Sequence, residues 1–146
     1  MANLRQTVLF RMDLGFGWGL SAAQIAHLHF EPIREFMFDI MRNQKDPTFV
    51  LPSEKRSQDI EEWMLTPYLF IHAVPNLEIL EHFRRKAELA KLAYVEWRDT
   101  VTLNISATQR EDLPNVLVGI TFGPTDSDLI RQVIGDLPLL PAKMPE

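Results

Sequence analysis

The stretch Thr7-Val8-Leu9-Phe10-Arg11-Met12-Asp13-Leu14-Gly15-Phe16-Gly17-Trp18-Gly19-Leu20-Ser21-Ala22-Ala23-Gln24 carries the reading of the fold. Thr7 to Met12 is a short apolar run rich in β-forming residues, which fits a buried strand. Asp13 ends it, and three of the chain's six glycines follow between Gly15 and Gly19. So dense a cluster marks a tight, unusual loop. A long helix is expected to start near Leu20 or Ser21. Its apolar stripe runs through Ala22, Ala23, Ile25, Ala26 and Phe30, then through Ile33, Phe36, Met37 and Ile40 toward Arg42. Pro32 is read as a kink or as the first residue of a second segment. In α/β sheets such a strand-to-helix turn lies at the carboxyl end of a strand, where ligands usually bind. The candidate site is therefore Asp13 to Gln24.

Working outward, Asn43 to Arg56 holds two prolines and mixed charges and reads as a loop. Ser57 is expected to cap a short helix containing Ile60, Trp63 and Met64. Tyr68 to Val74 fits a strand buried on both faces. Asn76 caps the next helix, with Leu77, Leu80, Phe83, Ala87, Leu89 and Ala90 assigned to its inner side. Tyr94 to Trp97 forms a third strand ending at Arg98-Asp99, and Thr102 to Ile105 a small extra one. Val116 to Phe122 is a fourth strand closed by Gly123-Pro124. A last helix runs from about Asp126 to Ile134, and residues 138–146 form a Pro-rich tail. The alternation predicts an α/β sheet covered on both faces.

The chain has 146 residues, 46% hydrophobic and 24% charged, as in a single globular domain spanning 1–146. No apolar run approaches the roughly 18–20 residues of a membrane span, and no charged patch leads into an apolar stretch at the start. The expectation is a cytoplasmic protein with no membrane partner. The absence of cysteine excludes thiolate catalysis, disulfides and cysteine-based metal sites. Fifteen Lys and Arg against 20 Asp and Glu give a net charge of −5, which disfavours a non-specific nucleic-acid coat. Arg84-Arg85-Lys86 reads as a solvated helix face. His27 and His29, two apart on a helix, point about 200° apart, so no metal site and no cofactor are expected.

The residues carry a family resemblance. Asp13-Leu14-Gly15, Gly17, Gly19, Ala22-Ala23-Gln24 and His27 resemble the opening motif of the class II peptidyl-tRNA hydrolases, in which a glycine–lysine turn leads into an Ala-Ala-Gln-x-x-His helix. Val116-Leu117-Val118-Gly119-Ile120, Gly123-Pro124, Asp128-Leu129-Ile130, Val133, Gly135 and Leu137 resemble its closing strand and helix. The resemblance covers roughly Thr7 to Leu140. It implies a three-layer α/β/α sandwich with a mixed four-stranded sheet, and a homodimer acting on peptidyl-tRNA.

The departures bear on chemistry. Trp18 and Leu20 stand where the family motif has lysines, Leu103 replaces its threonine, and Asn104 stands in for its glutamine, while Asp99 is kept. Ester hydrolysis needs a water aimed at the carbonyl, a stabilised oxyanion and a protonated leaving oxygen. The reduced set left for this is Asp99 as base or water-positioner and Gln24 as carbonyl donor, with backbone N–H groups near Ser21 to Ala23. Gly17, Trp18, Gly19, Ser21, His27 and Asn104 complete the candidate binding residues. Asp13 is read as shaping the turn. Against hydrolysis stands a non-catalytic binding or regulatory protein, with Trp18, Leu20 and Leu103 filling the old pocket. A third reading is hydrolysis of another ester or amide at the same site.

Overall fold

The computed structural model describes residues 3–43, 54–104 and 106–140, of which 18, 39–43, 54–57, 103 and 104 are described by backbone alone. The elements are β1 (Leu4–Arg11), α1 (Trp18–Asn43), α2 (Glu54–Leu65), β2 (Leu69–Val74), α3 (Leu77–Leu89), β3 (Tyr94–Asn104), β4 (Arg110–Asp126) and α4 (Ser127–Ile134). The four strands form one sheet in the order β2-β1-β4-β3. β1 runs parallel to β2, and β4 runs antiparallel to both β1 and β3, so the sheet is mixed.

Alternation along β1 sends its side chains to two cores. Val8 and Phe10 join Leu28 and Val118 beneath α1, with Ile25 and Trp97 packed alongside. Leu9 joins Val74, Ile120 and Phe122 beneath α3 and α4, which contribute Leu80, Ala87, Ile130 and Val133. Both faces are covered, and β1 is buried along its whole length. Among the described residues, no helix is long and apolar enough to cross a membrane.

Pro32 neither ends α1 nor starts a second segment; it lies inside one continuous helix. Proline has no N–H for the carbonyl four residues earlier, which here is Leu28. That carbonyl accepts instead from the Thr121 hydroxyl of β4 at 2.7 Å, in a buried setting. Next to Thr121, Gly119 lets the helix approach the sheet. A Cβ at Gly119 would lie 2.5 Å from the Leu9 carbonyl oxygen and 2.7 Å from Leu28 Cδ1.

Other boundaries move for physical reasons. Ser57 does not cap α2, which begins at Glu54, because Glu54, Lys55 and Arg56 are themselves good helix formers. Asn76 caps α3 as expected, its Oδ1 accepting from Ile79 N at 3.0 Å; Asp126, expected only as the approximate start of the last helix, is the cap of α4, its Oδ1 accepting from Asp128 N at 2.7 Å. On α3 only Leu80 and Ala87 are fully buried and Phe83 is partly so, whereas Leu77, Leu89 and Ala90 face outward. Leu89 lies two residues past Ala87, hence on the opposite side of the helix.

The largest difference concerns β3 and β4. Asp99 does not end a strand but lies in the middle of β3, and Thr102–Asn104 continue it; Ile105 lies outside the described residues. β4 likewise begins at Arg110 and passes through Gly123-Pro124 to Asp126. Residues 98–104 pair with 110–117 beyond the last β1 partner, which is Gly119 opposite Phe10. This protruding ribbon buries little, so no apolar alternation announces it. At the other edge, Ala73 N donates to Pro138 O at 3.1 Å and Leu140 N to Ile71 O at 2.8 Å, so the chain after α4 lies along β2.

Three outcomes test this packing. Thr121→Val leaves the buried Leu28 carbonyl without a donor and should lower unfolding free energy by about 1–3 kcal/mol in urea melts. Gly119→Ala forces a methyl against backbone that cannot move aside and should cost about 1–3 kcal/mol by the same measurement. The third concerns pH. Burial lowers the affinity of His72 and of His29 for a proton below the ordinary value of 6.5, and at His72 the nearby Arg5 charge adds to this. The unfolded chain then binds more protons as pH falls through 6.5, so stability is full above that value and declines below it. The urea midpoint should drop between about pH 7 and pH 5, and less so in His72→Asn.

Candidate functional site

β1 delivers the chain to the turn through Arg11. Its guanidinium donates to both Asp13 carboxylate oxygens, at 3.0 and 2.8 Å, and to the Leu117 carbonyl of β4 at 2.9 Å. The Asp13 carboxylate is thus held by Arg11 at the end of β1, and Arg11 ties the start of the turn to the base of the ribbon. Gly15 takes a left-handed conformation (φ 69°), which a side chain would strain.

α1 starts at Trp18, earlier than expected, since Gly17 and Gly19 flank its first residue rather than fill a loop. The Ser21 N–H therefore already donates to the Gly17 carbonyl at 2.9 Å. The N–H groups without an intrahelical acceptor are those of Trp18, Gly19 and Leu20. The buried Ser21 hydroxyl turns back to the Phe16 carbonyl at 3.4 Å, and Leu20 is half exposed.

One turn further, the buried Gln24 meets β3. Its Nε2 donates to Asp99 Oδ2 at 2.9 Å, and its Oε1 accepts from the Trp97 indole N–H at 2.5 Å. Asp99 Oδ1 accepts from the Thr100 backbone N–H at 2.7 Å. His27, exposed and one turn past Gln24, stacks on the Trp97 ring with centroids 4.2 Å apart and planes 10° apart. Two helix residues one turn apart thus engage two strand residues on one face. This arrangement can hold a water against the carboxylate and offer an amide N–H beside it.

Of the candidate residues, the fold brings Gln24, Asp99 and His27 into one cluster, with Ser21 a turn away and Gly17 and Gly19 at the helix start. Asn104 lies five positions along the strand from Asp99, about 16 Å, at the far end of the ribbon. The side chains of Trp18, Leu103 and Asn104 lie outside the described residues. His29 turns to the other side of α1, where Nδ1 meets Gln6 Oε1 at 2.5 Å. Among the described residues, no group of three or more metal-ligating side chains gathers.

Two cavities of about 370 Å³ open away from the Gln24–Asp99 pair, the second lined in part by Ser21. One lies between Lys91–Val95 and Gly123–Thr125, and the other is an apolar groove between α1 and β2. The residue that sequence reasoning passed over is Trp97, assigned only to a strand. Its spacing of two from Asp99 puts both on one sheet face, a signal available once β3 is known to continue.

Comparison with known proteins follows the same outline. No curated protein matches the chain. The sequence model of the family described as Peptidyl-tRNA hydrolase PTH2 matches residues 4–140, from the first residue of β1 to the segment along β2. The mixed four-stranded sheet between helices, the glycine turn and this near-complete match agree, and the chain belongs to the peptidyl-tRNA hydrolase PTH2 family.

Proposed function

We propose that this chain hydrolyses the ester between a peptide and the 3′ ribose of tRNA, using a reduced site of Asp99, Gln24 and the start of α1. The observation that carries the reading is the Gln24–Asp99 hydrogen bond at 2.9 Å, made across the turn in a chain of this family. Each Asp99 oxygen accepts one protein N–H and keeps capacity for more, so the carboxylate can orient a water and take its proton. Gln24 offers an amide N–H to the ester oxygen as negative charge develops there. The three open N–H groups of the first α1 turn, at the positive end of the helix dipole, lie one turn before Gln24 and favour the same charge. The proton held by Asp99 then passes to the departing ribose oxygen. The protein acts in the cytoplasm as a homodimer on this reading, and the exposed Phe30 and Met37 of α1 supply apolar surface for a second copy.

Trp18 in place of a lysine removes one positively charged donor, a loss of about 100- to 1000-fold in such sites. That substitution, with Leu20 half exposed beside it, favours as second reading a binding protein that has lost hydrolysis. A labelled peptidyl-tRNA assay separates the two. Under hydrolysis the parent releases peptide slowly, Asp99→Asn releases it at least about 100-fold more slowly, and Trp18→Lys is faster than the parent. An inert parent with active Trp18→Lys establishes the binding protein instead.

A further inference from the structure

The Gln24 amide stands between two groups with opposite needs. The indole N–H of Trp97 can only donate, and an ionised carboxylate can only accept. A glutamine amide has one oxygen and one NH2, so only one of its two rotations satisfies both neighbours. The oxygen faces Trp97 at 2.5 Å and the nitrogen faces Asp99 at 2.9 Å. The opposite rotation would set oxygen against carboxylate and NH2 against N–H. Gln24 is 5% exposed, and both neighbours are met within the protein.

Trp97 is itself held. Its ring packs beside the Val8, Phe10, Leu28 and Val118 cluster, His27 covers a face of it at 4.2 Å, and its backbone pairs with Gly119 in β4. The indole N–H therefore has a fixed direction. Fixing the amide oxygen leaves both amide hydrogens on the nitrogen turned to Asp99. One goes to Asp99 Oδ2, and the other has no acceptor among the described residues. That second hydrogen is the one a substrate oxygen can take.

We propose that Trp97 is a positioning residue of the hydrolytic site, holding the Gln24 side-chain oxygen so that the amide nitrogen serves Asp99 and the ester oxygen together. The proposal rests on the hydrolase reading above. Asp99 and Gln24 touch the reacting atoms, whereas Trp97 acts through Gln24.

The test uses the full chain with Trp97→Phe, Gln24→Leu and the double variant. Trp97→Phe keeps an aromatic ring against His27 and removes the N–H. Its kcat on peptidyl-tRNA should fall about tenfold with KM within about twofold, as expected for an interaction that matters in the transition state. Gln24→Leu in the Trp97→Phe background should then cost less than it does in the parent, because the two residues act as a unit. Nitrogen-15 NMR supplies a readout independent of turnover. The Trp97 indole N–H, assigned by its loss in Trp97→Phe, should shift and exchange at least about tenfold faster in Gln24→Leu. The Gln24 NH2 pair should lose exchange protection in Trp97→Phe. An unchanged kcat in folded Trp97→Phe, rate losses that multiply, or an indole signal indifferent to Gln24→Leu each overturns the proposal. If Trp97→Phe does not fold, the indole signal in Gln24→Leu decides it. An inert parent refutes the hydrolase reading and the catalytic use of Trp97 with it, while an intact indole response marks that failure as one of function and not of geometry.

Discussion

The seam between α1 and β4 at Leu28 is the constraint on which the rest depends. Gly119 removes the side chain that would hold the helix off the sheet, and Thr121 supplies the hydrogen bond that Pro32 cannot. Leu28 is thereby fixed in depth and in rotation, and it is fully buried. Gln24 and His27 lie four residues and one residue before it on the same rigid helix. Their reach to Trp97 and Asp99 follows from where Leu28 is seated. A helix raised by the thickness of one methyl group would lift the amide out of hydrogen-bond range of both partners.

The chemistry left at the site is that of neutral donors around one carboxylate. Trp18 stands in sequence where relatives carry an amine, so no lysine of the motif accompanies Asp99. What accompanies it is an amide whose direction is set by an indole, and an exposed imidazole lying on that indole. A neutral donor stabilises an oxyanion less than a charged one, but a preoriented donor in a partly buried setting needs no reorganisation as the charge forms.

The interior of the fold was legible because burial writes period and composition into the chain. The first strand, the cap Asn76 and the apolar stripe of α1 were all readable in this way. The β3–β4 ribbon was not, since residues 110–115 of β4 are exposed and the strands there are defined by pairing with each other. Ending β3 at Asp99 hid the fact that Trp97 and Asp99 share a face inside one strand. The helix start was misjudged for a related reason: glycine beside Trp18 suggests a loop, yet the first helical turn tolerates it because that turn has few intrahelical bonds to weaken.

By itself the sequence determined the class of architecture and the glycine turn that joins β1 to α1. These follow from local rules, periodicity and the dihedral freedom of glycine, whereas Asp99 and Gln24 stood out as candidates through the family resemblance. Only the tertiary structure decided that Gln24 and Asp99, 75 residues apart, are hydrogen-bonded, and that Trp97 stands behind the amide. Such a pairing depends on helix depth, strand register and the bulges of β3, which are set by contacts between elements and have no imprint on either segment alone.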